Sequence, residues 1–369
     1  MKVDKTKWKQ NIMSDCIKTV KVKDAVQKKD YQRYGQYPII SQEKDFISGY
    51  CDSIENLNSI GEVVIFGDHT RVLKFVDFDF CVGADGVKVI RPNSDISTKY
   101  LFHFLKWVDI PSNGYSRHFK FLKELNISYP SLSIQQAITS ELDAIQTMID
   151  GYKAQLEDLD ALAQSIFLDM FGDPVSNPKG WELHSIASFG KIVTGNTPSK
   201  SVEEYYNSDY IEWIKTDNIQ NNDLYPTVAS EYLSEEGSSK GRIVEKNSIL
   251  VCCIAGSLSS IGKCCITNRK VAFNQQINAI ECNPQHNYLF SYWLIKCAQK
   301  IFMETASTGM KHILSKSVMS SIKLPVPAPS LQQLFAHRIE AIERQKELIR
   351  FQLKDVETLM AERMQYYFS

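Results

Sequence analysis

Residues 132–171 read LSIQQAITSELDAIQTMIDGYKAQLEDLDALAQSIFLDMF, and residues 329–368 read PSLQQLFAHRIEAIERQKELIRFQLKDVETLMAERMQYYF. Gln135-Gln136 and Gln332-Gln333 open the two stretches, and each then runs about 35 residues without an internal proline to an aromatic close. In the first, Leu142, Ile145, Ile149, Tyr152, Leu156, Leu159, Ala163, Ile166 and Met170 recur in steps of three and four, a heptad seam. A shift of 197 positions gives Ile339, Ile342, Lys346, Ile349, Leu353, Val356, Met360, Arg363 and Tyr367, the same seam with polar interruptions. Ser133 and Ser330 are candidate N-caps. At 1.5 Å per residue, about 36 helical residues reach roughly 54 Å, and a lone helix of that length with an apolar seam needs a partner. Two matching helices separated by a domain predict antiparallel pairing within one molecule, with a domain at each end of a rod.

The stretches between the helices share an order of elements. Trp8 and Trp181 stand near the start of each half. Short β-branched runs follow, Glu62–Phe66 and Asp85–Ile90 in one, Ser248–Cys252 and Gln276–Ile280 in the other. Aromatic segments at Tyr100–Lys106 and Tyr288–Leu294 predict short helices, followed by turns at Asn113-Gly114 and Thr308-Gly309. The expected fold is α+β: two similar globular domains of mixed, curled β-sheet with short helices, separated by an antiparallel coiled coil with approximate two-fold symmetry. The domain boundaries are 1–132, 133–173, 174–330 and 331–369, the second and fourth being helices.

At 369 residues with 43% hydrophobic content, the chain has enough material for two packed cores. Net charge is −1, but it is unevenly spread. Residues 1–132 hold 20 basic and 16 acidic side chains, 174–330 hold 15 and 13, 133–173 hold 1 and 8, and 331–369 hold 6 and 6. An acidic rod repels a phosphate backbone, so nucleic acid, if bound, lies against the domains. There is no leader-like segment and no apolar run of membrane-spanning length, which predicts a soluble, cytoplasmic protein.

Catalytic patterns are scarce. Cys252-Cys253 and Cys264-Cys265 suggest metal ligation, but strand neighbours point to opposite faces and no CxxC occurs, so buried thiols are expected and no metal site. Asp77 and Asp79 read as a polar strand face or turn. The sequence lacks a nucleophile elbow, a zinc-protease motif, a P-loop and an amino-methyltransferase tetrad.

Polar and basic residues in the domains suit DNA instead. In the first half these are Lys28, Lys29, Arg33, Ser41, Gln42, His69, Thr70, Arg71, Arg117, His118 and Lys120. In the second they are Thr194, Thr197, Ser199, Lys200, Lys215, Ser257, Ser259, Lys263, Gln275, Gln276, Lys311 and His312. Hydroxyls and backbone N–H groups suit phosphate oxygens, Arg and Lys suit guanine edges, and Gln suits adenine.

Pro38–Gln42, Val64–Arg71, Gly83–Lys88, Gly195–Ser199, Ile214–Ile219, Leu132–Gln136 and Leu331–Gln333 together resemble the specificity (S) subunit of type I restriction-modification enzymes, the HsdS family, from end to end. One departure is that Asp217 follows Thr216 directly, where the family usually has an intervening glycine. The resemblance implies a DNA-binding subunit that catalyses nothing. Each target recognition domain would read one half of a split, asymmetric duplex site, and the helices would set the gap. Two methyltransferase (M) subunits carrying S-adenosylmethionine would dock on the helices, and restriction (R) subunits would join them. This chain itself would bind no cofactor. The competing expectations are a coiled-coil adaptor and a self-contained DNA-modifying enzyme.

Overall fold

The computed structural model describes residues 3–83, 86–111, 114, 116–220, 223–307 and 313–369. They fall into two compact units, Met1–Lys153 with Phe351–Ser369, and Ala154–Arg350.

The first domain is built on two four-stranded sheets. One has the order Ile17–Thr19, Val87–Pro92, Val63–Gly67, Leu73–Val76, with every neighbour antiparallel. The other has the order Gly49–Cys51, Tyr37–Ile40, Phe80–Val82, Leu57–Asn58, and its central pair is parallel, with Ile39 beside Cys81 and Ile40 beside Val82. A ribbon of Lys9–Ile12 and Asn126–Tyr129 joins the start of the domain to its end.

The second domain repeats this plan strand for strand. Its first sheet is Gly190–Thr194, Ile277–Cys282, Ile249–Cys252, Cys264–Ile266. Its second is Tyr232–Leu233, Ile211–Ile214, Val271–Phe273, Ile243–Val244, again with the central pair parallel, and the ribbon is Leu183–Ser185 with Lys323–Pro325. The duplication therefore runs through the domain cores, where sequence similarity is faint. Asp77 and Asp79 fall in the turn between two strands, one of the two placements expected, and Asp79 accepts from Ser59 Oγ at 2.6 Å.

The equivalent central strands Val63–Gly67 and Ile249–Cys252 are buried throughout, which explains their unbroken apolar runs. Alternation sorts their side chains between two cores. Val64 and Phe66 pack with Tyr100, Leu101 and Phe104 of the short helix Thr98–Trp107, while Val63 and Ile65 pack with Ile40, Phe80 and Val82 of the other sheet. Ile249 and Val251 likewise meet Phe290 and Tyr292 of helix Tyr288–Cys297, and Leu250 meets Ile214 and Phe273. Among the described residues, a further helix, Gln299–Ser307, follows in the second domain only, and its apolar spacing escaped the sequence reading.

The two long helices span Leu132–Phe171 and Pro329–Phe368. They begin earlier than the serine caps expected at Ser133 and Ser330, which lie inside the first turn. Ser131 and Ala328 supply the first helical carbonyls, accepting from Gln135 N (3.0 Å) and Gln332 N (3.3 Å). Pro329 at the first helical position is pre-set for the helix and has no N–H to leave unpaired.

Each long helix contributes one part to each unit, and within each unit the two segments pair antiparallel. In the first, Glu141 meets Arg363 and Lys153 meets Glu357. Ile145, Ile149 and Val356 form a buried cluster with Tyr152, Leu353 and Met360 against it, while Leu142 turns into the domain core. In the second, Asp160 meets Lys346, and Ala163, Ile339 and Ile342 share a core with partly buried Leu159 and Ile166. Ile349 is buried and Leu156 half-buried.

The seam of the first helix drifts at its end. Phe167 and Phe171 are buried there, whereas Ile166 and Met170 are only partly so. A straight helix advances 3.6 residues per turn, so a strict heptad stripe rotates away. Phe290 and Phe335 receive the two displaced aromatics, with ring centroids 5.0 Å (Phe171–Phe290) to 6.1 Å (Phe167–Phe290) apart. In the first unit, Phe368 ends the second helix against Tyr100 and Phe104 in the same manner.

The two polar interruptions of the second seam are each met by an acid. Lys346, with a side chain 2% exposed, donates to Asp160 Oδ1 at 2.7 Å and Glu343 Oε1 at 3.0 Å. Arg363 Nε donates to Glu141 Oε1 at 2.5 Å, and Tyr367 Oη donates to Glu141 Oε2 at 2.7 Å. Two acids of the first helix, Glu141 and Asp160, thus serve the pairing directly.

Candidate nucleic-acid interface

Parallel strands leave a sheet on the same side. Tyr37–Ile40 and Phe80–Val82 therefore deliver residue 41 and residue 83 to one end of the first domain, and Val63–Gly67 ends there too. Three hydrogen bonds tie these exits together. Asp68 N donates to Gly86 O (2.7 Å), Thr70 Oγ1 to Gln42 O (2.7 Å), and His69 N to Gln42 Oε1 (3.3 Å). Gly86 has φ 90°, and a Cβ there would lie 2.9 Å from Gln42 Nε2 and from the His69 ring, so the approach requires glycine.

Gln42, His69 and Thr70 are thus brought together, with Arg117 exposed on the adjoining segment. That segment is fixed by His118 N and Phe119 N, which donate to Asp68 O and Asp68 Oδ1 at 2.8 Å each. Three residues of the expected set are engaged inside the domain and shape the loops rather than face outward. Ser41 is buried and bonded to Ser48 Oγ (2.7 Å), and His118 is buried with Nδ1 3.0 Å from Asp68 O. Arg71, at φ 59°, sends Nη1 to Ile110 O (2.7 Å). Lys28 is exposed and pairs with Glu43 (2.6 Å), Arg33 lies over the Tyr34 ring, Lys120 lies over Phe121, and Lys29 is exposed.

The second domain assembles the equivalent exits. Strands Ile211–Ile214 and Val271–Phe273 lead into Lys215 and Asn274, and Asn274 N donates to Ile214 O (3.0 Å). Cys253 N and Ile254 N both donate to Gln276 O (2.8 and 3.1 Å), bringing in the end of Ile249–Cys252. Thr197 Oγ1 donates to Gln275 Oε1, and Thr194 Oγ1 to Asn278 Oδ1 (2.7 Å). Gln275 is exposed at the tip, and exposed Ser257 and Ser259 bond each other (3.1 Å). Ser199 pairs with Ser201 (2.8 Å).

The lysines here are neutralised. Lys215 and Lys200 both reach Glu231, whose carboxyl is held below its ordinary range chiefly by the Lys215 hydrogen bond. Both ammoniums also lie over the Trp213 ring, 5.0 and 5.6 Å from its centroid. Glu231 and Trp213 escaped the sequence reading, and Asp68 was read only as part of the Val64–Arg71 stretch, because their roles rest on partners far away in the chain. Lys263 was expected among the DNA contacts, but it lines a cavity with Gln164, Trp293 and Lys296 instead of joining the Gln275 loop. The strand pairing that fixes Lys263 O to Cys252 N turns its side chain toward the helices. Lys311 and His312, and the turns at Asn113 and Thr308-Gly309, lie outside the described residues.

Cys252, Cys253, Cys264 and Cys265 are buried, and burial pushes the thiols of Cys253 and Cys264 up to about 12. Among the described residues, no three His, Cys, Asp or Glu side chains converge as metal ligands, and no helix is long and apolar enough to cross a membrane.

The family model for the type I restriction modification DNA specificity domain matches this chain twice, over residues 7–160 and 178–358. A type I restriction enzyme specificity subunit of Escherichia coli is 25% identical over 346 residues, covering 84% of this chain and 80% of that protein. Another, from Haemophilus influenzae, is 29% identical over 230 residues, covering 59% of this chain and 49% of the relative. The crystal structure of the S subunit of a type I restriction-modification system from M. genitalium shares the fold with a TM-score of 0.65 at 15% identity, covering 100% of this chain and 98% of that one.

Proposed function

Because the chain belongs to the type I restriction-modification DNA specificity family, we propose that each of its two domains reads one half of a bipartite, asymmetric duplex site through the loops around Gln42 and around Gln275. The chain is the non-catalytic, specificity-giving member of its system, and neither a free-standing modifying enzyme nor a structural adaptor fits the family. The observation that carries the reading is one scaffold presenting unlike side chains at the same exits. Gln42, His69 and Thr70 occupy them in the first domain, and Lys215 and Gln275 in the second, where Thr197 reaches Gln275 from the segment after the edge strand. A frame kept constant while its tips differ suits the reading of two different sequences.

The paired helices set the gap between the half-sites and dock two methyltransferase subunits, with restriction subunits joining outside them. S-adenosylmethionine is bound by those partners, and an adenine inside a duplex must be flipped out of the stack to be methylated. Phosphate contacts supply salt-dependent affinity, and side chains at the loop tips supply discrimination of about 1–3 kcal/mol per good base contact. The complex works on DNA in the cytoplasm.

The test is to map methylated adenines in cells carrying this chain and its methyltransferase partner. One split motif with a fixed gap is expected. Methylation without a shared motif, or a motif unchanged when the Gln275 loop is replaced, overturns the reading.

A further inference from the structure

The segment running from the first edge strand to the second sheet, residues 18–33, holds Lys18, Lys21, Lys23, Lys28, Lys29 and Arg33 against only Asp24 and Asp30. Val20, Val22, Ala25 and Val26 turn inward and pack on the domain, which leaves all six cations exposed. Among the described residues only Lys28 of the six is in an ion pair, with Glu43.

The path of this segment gives it a direction. Ile17 lies beside Pro92 and Thr19 beside Ile90, so the chain advances along the neighbouring strand toward the Gly86 turn. Val26 then bridges Gly83 in parallel, and Val26 N donates to Val82 O (2.9 Å). Residues beyond Val26 therefore overrun the strand end from which the reading loops leave, and Lys28 reaches the residue next to Gln42. The cations form a track up the side of the domain to its reading loops.

The equivalent segment of the second domain, residues 191–206, holds Lys191 and Lys200 against Glu203 and Glu204. Both lysines are paired, Lys191 with Glu281 (2.9 Å) and Lys200 with Glu231 (3.4 Å). Two segments on the same scaffold thus differ in net charge by four.

We propose that Lys18, Lys21, Lys23, Lys28, Lys29 and Arg33 form a phosphate-binding track for duplex DNA, so that the sequence-independent grip is concentrated on the first domain while the second reads its half-site with little charge of its own. This rests on the DNA-specificity reading above and adds a division of labour between the repeats. An exposed ammonium displaces a condensed counterion when it meets a phosphate, and each such contact steepens the dependence of affinity on salt.

The experiment measures binding of the full chain to a duplex bearing its methylated motif and to a random duplex across a salt series. In the variant Lys18→Gln/Lys21→Gln/Lys23→Gln/Lys29→Gln, the slope of log affinity against log salt should fall by about 3–4, roughly 0.9 per contact, on both duplexes. The methylated motif should stay the same. The variant Lys191→Gln/Lys200→Gln should keep the wild-type slope, and the four-site Lys→Arg variant should keep it as well, which separates charge from folding. A four-lysine Gln variant with the wild-type slope, or an equal loss per residue from the second-domain pair, overturns the track. A wild-type chain with no preference for any duplex overturns the functional reading itself.

Discussion

Gln135 and Gln332, in different repeats, form the same buried clamp. Gln135 Oε1 accepts from Ser97 N (2.8 Å) and its Nε2 donates to Pro130 O (2.8 Å); Gln332 Oε1 accepts from Asn287 N (3.0 Å) and its Nε2 donates to Pro327 O (2.9 Å). Ser97 and Asn287 are the N-caps of the two aromatic helices. One side chain thus ties the start of a long helix to the start of the helix that backs the domain's main sheet.

Replacing Gln332 by leucine orphans two buried or part-buried backbone groups, and replacing Gln135 orphans three, since its Nε2 also donates to Asp95 O (2.8 Å). Gln135→Leu and Gln332→Leu should each cost about 2–4 kcal/mol, since each buried group left unpaired costs about 1–3 kcal/mol and apolar packing recovers part. The exposed neighbour tests the specificity of the effect, because Gln136→Ala should change stability by less than about 0.5 kcal/mol. Denaturant titration reads both, and amide exchange at Ser97 or Asn287 should accelerate only in the clamp variants.

Lys346 is a buried cation facing two carboxylates. Lys346→Ala should lose about 3–5 kcal/mol because Asp160 loses its counter-charge and Glu343 keeps only Arg350, 4.0 Å away. The double variant Lys346→Met/Asp160→Leu should recover most of that loss, since apolar replacements of buried ion pairs are often neutral or better. Equal destabilisation of the single and double variants, measured by denaturant titration, would contradict this account.

The Glu141 contact makes stability depend on pH. Partial burial would raise its carboxyl, but hydrogen bonds from Arg363 and Tyr367 outweigh this and bring it to about 2. An unfolded glutamate titrates near ~4.3, so the contribution is complete above that value and is lost as pH falls toward the folded value. Glu141→Gln should flatten the stability curve in this acidic window and cost about 1–2 kcal/mol at neutral pH, the contact being part-exposed and screened.

Gln275 is exposed at a loop tip and holds no core together. Gln275→Ala should leave the melting temperature unchanged, weaken the preferred site by about 1–3 kcal/mol, and leave random DNA unaffected. Methylation mapping should show relaxation at one half-site only.

The helix pair was legible because Ile145, Ile149, Ile339, Ile342 and Val356 repeat locally, and a local repeat needs no knowledge of the partner. Lys346 and Arg363 read as flaws for the opposite reason. Their meaning lies in Asp160 and Glu141, about two hundred residues away. The second sheet was missed because its strands are as short as two residues and its central pairing joins Tyr37–Ile40 to Phe80–Val82 across a long connection. Of the candidate interface, His69 was recognisable as a polar residue after a strand, and Gln42 and Gln275 by residue type alone, whereas Ser41, His118 and Arg71 carry the same chemistry turned inward. Residue type does not disclose orientation.

An uninterrupted apolar seam is degenerate under translation, because sliding one helix by seven residues returns like to like. Such a slip is about 10 Å, or three base pairs at ~3.4 Å each, enough for a gauge to recognise sites of the wrong length. Lys346 opposite Asp160 and Arg363 opposite Glu141 break that degeneracy, since any other alignment strands a charge among apolar neighbours. The two imperfections of the seam are what would give such a gauge a single calibration.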